Sequence, residues 1–122
     1  MRIWDIPPKN LCRSHLLGEH RELHGLWNIL TRHKGGGYSR HPETLRWVGR
    51  LKALYLRHEA LINEFNRRGY RHFTPLDRRL AAGSARQTAF VNTIKEQKAR
   101  LKAKNCACRI SGRRNKRADG RS

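Results

Sequence analysis

The stretch LCRSHLLGEHRELHGLWNIL, residues 11–30, has the clearest helical periodicity in the chain. Its apolar side chains recur at the spacings of one helical face, and they are Cys12, Leu16, Leu23, Leu26, Trp27 and Leu30. We predict a helix from about Asn10, after two consecutive prolines, to about His33, before the glycines at residues 35–37. This helix is therefore expected to turn one apolar stripe toward the protein core.

A second helix is predicted from about Pro42 to Arg68, because proline suits a first helical turn and the breaker Gly69 follows. Its apolar face repeats in steps of three and four residues and is formed by Val48, Leu51, Tyr55, His58, Ile62 and Phe65. We expect the two helices to pack against each other and to form the core.

The remainder of the chain has weaker patterns. From residue 72 to residue 92 no period is sustained, so we predict a loop with one short helix at about residues 76–82. Thr93 and Glu96 fit a capping box, which predicts a third helix to about Lys104. Residues 111–122 are basic and almost without apolar side chains, so a disordered tail is expected there. The predicted fold is a compact all-α single domain of about three helices, residues 1–110, followed by this tail.

The charge of the chain is strongly unbalanced. It has 28 lysine and arginine residues against 9 acids, a formal net charge of +19. Because binding to a polyanion releases condensed counterions, this imbalance favours a nucleic-acid partner. A membrane surface is disfavoured, since the sequence has neither a lipidation motif nor a basic segment beside an apolar span. With no apolar run of signal-peptide length, we expect a cytoplasmic, nucleoid-associated monomer without an inferred protein partner.

Acidic side chains are scarce, yet two of them lie close together on the first helix. At about 100° per residue, Glu19 falls inside the apolar stripe, whereas His15 and Glu22 flank its edge and Arg21 points elsewhere. The simplest interpretation pairs these glutamates with second-helix arginines that share a narrow stripe, Arg46, Arg50 and Arg57. The same arginines, with Arg68, are expected to contact DNA phosphates collectively.

Two groups of potential metal ligands are also present. His20 and His24 have the four-residue spacing of zinc-binding helices, but Glu22 is misplaced for the zincin pattern. The cysteines at residues 106–108, with Cys12 and a histidine, could close a zinc site. Reduced, unliganded thiols are the simpler interpretation of an odd number of cysteines without an export signal. We therefore expect neither a metal nor another cofactor.

The strings MRIWDI, LCRSHLLGEHRELHGLW and LKALYLRHEALINEFNRRGY together resemble the pyrimidine-dimer DNA glycosylase/AP lyase family, small all-helical enzymes that incise ultraviolet-damaged DNA. The resemblance covers about residues 1–75, and its most specific part is the helix around His15 to Leu23. It implies a DNA repair glycosylase with an associated lyase activity on double-stranded DNA that contains pyrimidine dimers.

The resemblance also implies roles for individual residues. In the family the nucleophile is the α-amine of the first residue, here that of Met1, and the long side chain of Arg2 would prevent removal of this methionine. Glu22 matches the catalytic glutamate, which stabilises a cationic imine and moves protons during β-elimination. His15 and Arg21 match site residues, and Arg2 matches a basic residue that contacts DNA beside the amine.

Two departures from the family concern specificity. His24 and Gly25 stand where the family has a further arginine, and the aromatic C-terminal segment of the phage-type enzymes is replaced by the basic tail. Glu19, deeper on the stripe, is expected to hold an arginine or His15 in place. Two alternatives stay open: a non-enzymatic small basic nucleic-acid-binding protein, and a lyase of the same scaffold for abasic sites or another base lesion.

Overall fold

Helices make up the regular structure of the chain in its computed structural model, which describes residues 2–32, 41–71, 74–104 and 106–109. The α-helices are α1 (Arg13–Arg32), α2 (Pro42–Leu45), α3 (Leu51–Arg68) and α4 (Ile94–Ala103), and two short 3-10 helices span Pro8–Asn10 and Arg78–Leu80. The described residues contain no named strand, so the all-α class predicted from the sequence is confirmed. None of the described helices is long and apolar enough to cross a membrane.

Helices α1 and α3 pack against each other and supply much of the core. The stripe predicted for α1 is buried at Leu16, Leu23, Leu26 and Trp27. Helix α3 contributes Ala53, Leu54, Leu61 and Phe65 to the same cluster. Glycine ends α3, because Gly69 adopts the left-handed conformation (φ 80°) that side chains with a Cβ rarely take.

The single second helix predicted from Pro42 to Arg68 is wrong, because the chain leaves the helix after Leu45 and enters α3 at Leu51. Gly49 has a φ of 76° in the intervening turn, a value incompatible with a right-handed helix. The predicted apolar face shifts accordingly. Val48 is 56% exposed, whereas Leu54 and Leu61, which the pattern did not select, are fully buried.

The segment before α1 lies inside the molecule. Ile3, Trp4, Ile6 and Leu11 all belong to the buried cluster. Helix α4 closes the cluster with Leu101, which is 1% exposed. Residues 3–11 therefore contribute four side chains to the core of the protein.

Residues 81–84 cover the first turn of α3. The N–H of Lys52 donates to the Ala82 carbonyl (2.8 Å), and the N–H of Ala53 donates to the Ser84 carbonyl (3.0 Å). Gly83 makes the approach possible, because a Cβ there would lie 2.2 Å from the Gly49 carbonyl oxygen. This loop thus supplies acceptors for helix N–H groups that lack intrahelical partners.

Two further predicted features, the capping box and a short helix in the loop, are present in the structure. The capping box is confirmed, since Thr93 and Glu96 exchange two hydrogen bonds at the start of α4. A short 3-10 helix, Arg78–Leu80, confirms the helical turn predicted within the loop. Met1, the glycines at residues 35–37 and the tail predicted at residues 111–122 lie outside the described residues.

Candidate functional site

Three consecutive backbone N–H groups near the start of the chain donate to buried side chains. The pairs are Ile3 with Glu43 (3.3 Å), Trp4 with Glu19 (3.1 Å) and Asp5 with Gln97 (2.7 Å). The acceptors come from α2, α1 and α4, and each is at most 3% exposed. Because a buried acceptor that loses its donor costs free energy, these bonds fix the path of residues 3–5.

Glu19 explains why a strongly basic chain keeps a carboxylate in an apolar stripe. One oxygen accepts from the N–H of Trp4, and both accept from the guanidinium of Arg57, at 2.5 and 3.0 Å. Burial raises the pKa of the Glu19 carboxyl, and the charge and hydrogen bonds of Arg57 oppose this rise. The expectation that Glu19 holds an arginine is confirmed. The same carboxylate also binds Trp4, the middle residue of residues 3–5, which we call the N-terminal segment.

Arg46 is a second link between the N-terminal segment and the rest of the fold. Its guanidinium donates to Glu43 (2.8 Å), to the Ile3 carbonyl (2.9 Å) and to the Ala89 carbonyl (3.1 Å). It also pairs with Asp5 at 2.9 Å, and its side chain is only 5% exposed. A guanidinium so engaged has no donor left for a DNA phosphate.

The arginine stripe expected along the second helix is therefore largely structural. Arg57 is held by Glu19 with 14% of its side chain exposed, and Arg68 donates to Glu64 and to the Leu11 carbonyl. We correct the expectation of a common phosphate-contacting stripe at these arginines, because their donors face protein acceptors. Arg50 is half-buried and makes a bond of 3.4 Å to the Arg46 carbonyl, so its role in DNA contact stays a prediction.

Arg2 borders a basic cleft next to the start of the chain. Its guanidinium lies 5.1 Å from the centre of the Trp4 ring and donates to the Asn92 amide oxygen at 2.9 Å. The cleft has a volume of about 650 Å³ and is lined by Arg2, Trp4, His41, Arg100, Ala103 and Lys104. Three of these lining residues are basic, so the electrostatics of the cleft suit an anionic ligand.

Glu22 lies on α1 about one turn beyond Glu19, and Arg21 precedes it. Glu22 is half-buried, and among the described residues no hydrogen bond or ion pair to its carboxylate is present. Arg21 is exposed and lines a cleft of about 400 Å³ together with Leu17, His20, His24 and Thr74. The glutamate pair of the first helix is thus divided into one fully bonded carboxylate and one that is available.

His15 does not project freely from α1. It belongs to a group that we call the cysteine cluster, formed by Cys12, His15, Cys106 and Cys108. The His15 Nδ1 atom lies 3.1 Å from the Cys12 sulfur and 3.3 Å from the Cys108 sulfur. Its ring also meets the Trp4 ring edge-on at 6.0 Å. These contacts engage His15 within the protein. Its expected role in DNA binding stays a prediction.

The two more deeply placed thiols of the cysteine cluster have opposite acidities. Burial raises the pKa of Cys12, but hydrogen bonds from His15 and Cys108 outweigh this and bring the pKa to about 6. Burial raises the pKa of Cys108 to about 12, and its proximity to Cys12 contributes to that rise. The surroundings of the cluster thus favour the thiolate form at Cys12 and the thiol form at Cys108.

A second group, which we call the histidine cluster, joins α1 to α3 and consists of His20, His24 and His58. Their three Nε2 atoms lie 3.2 Å from one another. His58 Nδ1 is 2.9 Å from a Glu59 carboxylate oxygen, and its Nε2 is 3.0 Å from the Thr74 carbonyl oxygen. Burial, together with the neighbouring His58, lowers the pKa of His24.

The sequence patterns missed three residues that hold the N-terminal segment, namely Asp5, Glu43 and Gln97. The sequence patterns give Glu43 no role, although an acid in the first turn of a helix is a weak signal of a structural contact in so basic a chain. Gln97 lies four residues before the buried Leu101 on α4, so helical spacing was an available signal that it faces the core.

The described residues thus combine a hydrogen-bonded segment at residues 3–5, a half-buried glutamate, Glu22, and a basic cleft lined by Arg2. The model of the family described as pyrimidine dimer DNA glycosylase matches residues 1–78. The chain belongs to this family. For this pyrimidine dimer DNA glycosylase family member, the match includes the N-terminal segment and α1 to α3, and it ends before α4. Among curated proteins and among solved structures, no significant match to the chain is found.

Proposed function

We propose that the chain is a DNA glycosylase with an associated AP lyase activity on pyrimidine dimers in ultraviolet-damaged duplex DNA. The α-amine of Met1 serves as the nucleophile, and Glu22 serves as the group that transfers protons. Membership of the glycosylase family supports the substrate class, and the arrangement of the N-terminal segment supports the mechanism.

The reaction begins when the lone pair of the amine attacks C1′ of the damaged nucleotide. The glycosidic bond breaks, and its electron pair leaves with the base. The attacking nitrogen gives up a proton, which Glu22 passes to O4′. The sugar ring opens as the C1′–O4′ bond breaks, and the nitrogen lone pair forms a cationic imine with C1′. Removal of a C2′ proton by the Glu22 carboxylate forms a C2′–C3′ double bond and expels the 3′ phosphate. Water finally hydrolyses the imine and releases the enzyme.

An α-amine suits this chemistry without special tuning. Its ordinary pKa is about 8, more than two units below that of lysine, so a useful fraction is uncharged at neutral pH. A neighbouring cation such as Arg2 disfavours the ammonium form further. The carboxylate of Glu22 stabilises the imine cation that forms next.

The observation that carries the proposal is the hydrogen-bonded hold on residues 3–5 by Glu43, Glu19 and Gln97. Chain starts are usually frayed, and a nucleophile must be held in one place to gain from proximity. The Met1 nitrogen is three residues from the Trp4 nitrogen, at most about 11 Å along an extended chain. Trp4 is bound at Glu19, one helical turn before Glu22, so the length of the chain allows the amine to approach that carboxylate.

The charge of the chain supports duplex DNA as the substrate. Reaching C1′ requires bending the duplex or extruding a nucleotide, which costs a few kcal/mol. Phosphate contacts offset this cost, and the net charge of +19 provides them in quantity. The basic cleft lined by Arg2, Arg100 and Lys104 suits a phosphate. A duplex substrate would place the enzyme at the nucleoid.

Borohydride trapping tests the proposal, because reduction converts an imine into a stable covalent link. Duplexes with a cyclobutane dimer, with an abasic site and without damage should be compared. We expect trapping on the first two and none on the third. A matched protein with an uncleaved N-terminal extension should bind duplex DNA normally but fail to trap it.

The outcomes separate the alternatives. Binding without any trapping would support the non-enzymatic nucleic-acid-binding protein. Trapping on the abasic duplex alone would support a lyase for abasic sites. Equal trapping by the blocked and unblocked proteins would assign the nucleophile to a lysine side chain.

A further inference from the structure

The cysteine cluster joins two distant parts of the chain. Cys12 precedes α1 and His15 lies in its first turn, whereas Cys106 and Cys108 follow α4. All four ligand atoms lie within 4.8 Å of one another. Three thiols with one imidazole form a ligand set that structural zinc sites use.

The ligand atoms of the cluster are close enough together to surround one metal ion. In a tetrahedral zinc site a sulfur and a nitrogen ligand lie about 3.6 Å apart. The two sulfur–nitrogen separations at His15 are 3.1 and 3.3 Å, so binding of the ion would widen them slightly. The N–H of Cys12 also donates to the Cys108 sulfur at 3.1 Å, as backbone N–H groups do to metal-bound thiolates.

Hydrogen bonding alone accounts poorly for this arrangement. Nδ1 of His15 has one in-plane site, which holds either a proton or a lone pair. Two sulfur atoms compete for that site. A metal ion in front of the nitrogen would engage the lone pair and both sulfurs at once.

We propose that the cysteine cluster binds one zinc ion, which ties the end of the described chain to the start of α1. A direct hydrogen bond of 2.6 Å from the Arg109 N–H to the Asn10 carbonyl makes the same connection. The proposal does not rest on the glycosylase activity, because its residues are distinct from Met1 and Glu22. His15 would then act through Trp4, whose ring it contacts, to stabilise the N-terminal segment.

Cobalt substitution of the full-length wild-type chain tests thiolate ligation without any mutation. The cobalt form should show sulfur-to-cobalt charge-transfer absorption, and zinc should displace it. The double variant Cys106→Ser/Cys108→Ser should lose this absorption and one equivalent of metal. Cobalt binding to the wild-type chain without charge-transfer absorption, or an unchanged metal content in the double variant, would overturn the proposal.

The histidine cluster carries a second and independent inference. In a triangle of three Nε2 atoms, each atom bears either a proton or a lone pair, so at least two are of the same kind. Such a pair forms no hydrogen bond, yet all three separations are 3.2 Å. Three imidazole nitrogens on one tetrahedral metal ion would lie about 3.3–3.4 Å apart.

The surroundings of His58 strengthen this interpretation. Its Nδ1 faces the Glu59 carboxylate, and a carboxylate there fixes the tautomer whose Nε2 lone pair is directed at a metal. The Thr74 carbonyl oxygen lies 3.0 Å from the same Nε2, next to the three nitrogens. The geometry points to a divalent transition-metal site that links α1 to α3 at the floor of the cleft beside Arg21.

Anomalous diffraction at the zinc absorption edge tests this second site in the wild-type chain. Zinc-loaded protein should be dialysed before crystallisation, so that weakly held ions are removed. We expect a peak between the three Nε2 atoms and a separate peak in the cysteine cluster. The absence of the first peak would overturn the histidine site, whatever the second one shows.

Metal content in solution separates the two sites. His24→Gln, a change at the least buried of the three histidines, should lose one equivalent and keep the cobalt charge-transfer absorption. The cysteine double variant serves as the matched control, since it should lose that absorption and keep the histidine-bound equivalent. Equal metal content in wild type and His24→Gln would contradict the second inference.

Discussion

The N-terminal segment and the α1–α3 pair are both buried, but different interactions hold them. Apolar side chains at helical spacing pack α1 against α3. Ile3 and Trp4 also bury apolar side chains, but the backbone of residues 3–5 is held in addition by hydrogen bonds to side chains from three different helices. The helix pair therefore tolerates exchange of similar apolar groups, whereas the segment depends on individual polar atoms. This difference separates the residues that maintain the fold from those that position the start of the chain.

The largest effect is expected from a substitution that disrupts the packing of α1 against α3. Phe65 is fully buried in α3, so Phe65→Ala should lower the free energy of unfolding by about 3–5 kcal/mol through reduced burial and a cavity. Urea unfolding followed by circular dichroism measures this change. Trapping per folded molecule should be nearly unchanged. A decrease below about 1 kcal/mol would show that the pair is not the main source of stability.

Sequence periodicity predicted the helix pair because apolar burial repeats at a fixed spacing. It missed the break after Leu45, although Gly49 was a visible signal, because the apolar pattern continued through the turn. The bonds that hold residues 3–5 could not be predicted in the same way, since Glu43 and Gln97 are far from them in sequence. Pattern placed Glu19 in the core, and only the structure identified Arg57 and Trp4 as its partners.

The next effect concerns the available carboxylate of α1. Glu22→Gln keeps the shape and removes the charge, so strand cleavage should fall by about 100-fold or more. DNA affinity should hold or improve, because a negative charge near phosphate is removed. Cleavage rates under single-turnover conditions and a melting curve measure the two consequences.

Glu19→Gln is the matched comparison, since its carboxylate binds Arg57 and Trp4. That substitution should lower the melting temperature, whereas Glu22→Gln should not. If both variants lose cleavage and melting temperature to the same extent, both glutamates have a structural ion-pair role.

A smaller effect is expected when a hydrogen bond that holds the N-terminal segment is removed. Gln97→Ala removes the acceptor for the Asp5 N–H and a donor to the Asp5 carboxylate. Leaving such groups unpaired should cost about 1–3 kcal/mol of unfolding free energy. Trapping per folded molecule should also fall, unlike in Phe65→Ala. Unchanged trapping in Gln97→Ala would show that imine formation does not depend on the hydrogen bonds that hold residues 3–5.

The smallest effect is expected outside both regions. Deleting residues 111–122 should weaken binding to damaged and undamaged duplexes by similar factors. For every DNA phosphate that the tail neutralises, the deletion should reduce the slope of log affinity against log salt by about one. Titrations at several salt concentrations measure the slope, with unfolding free energy as the control. Selective loss of dimer cleavage with abasic cleavage preserved would assign the tail to lesion recognition.

The position of the covalent link tests the central claim most directly. Borohydride-trapped complex on abasic duplex DNA should be digested with nuclease and protease, and the modified peptide sequenced by mass spectrometry. Our account predicts that the sugar remnant is attached to the α-amine of Met1, two residues before Ile3, the first of the held residues. Attachment to a lysine side chain, in a protein whose N-terminus is unmodified Met1, would contradict it.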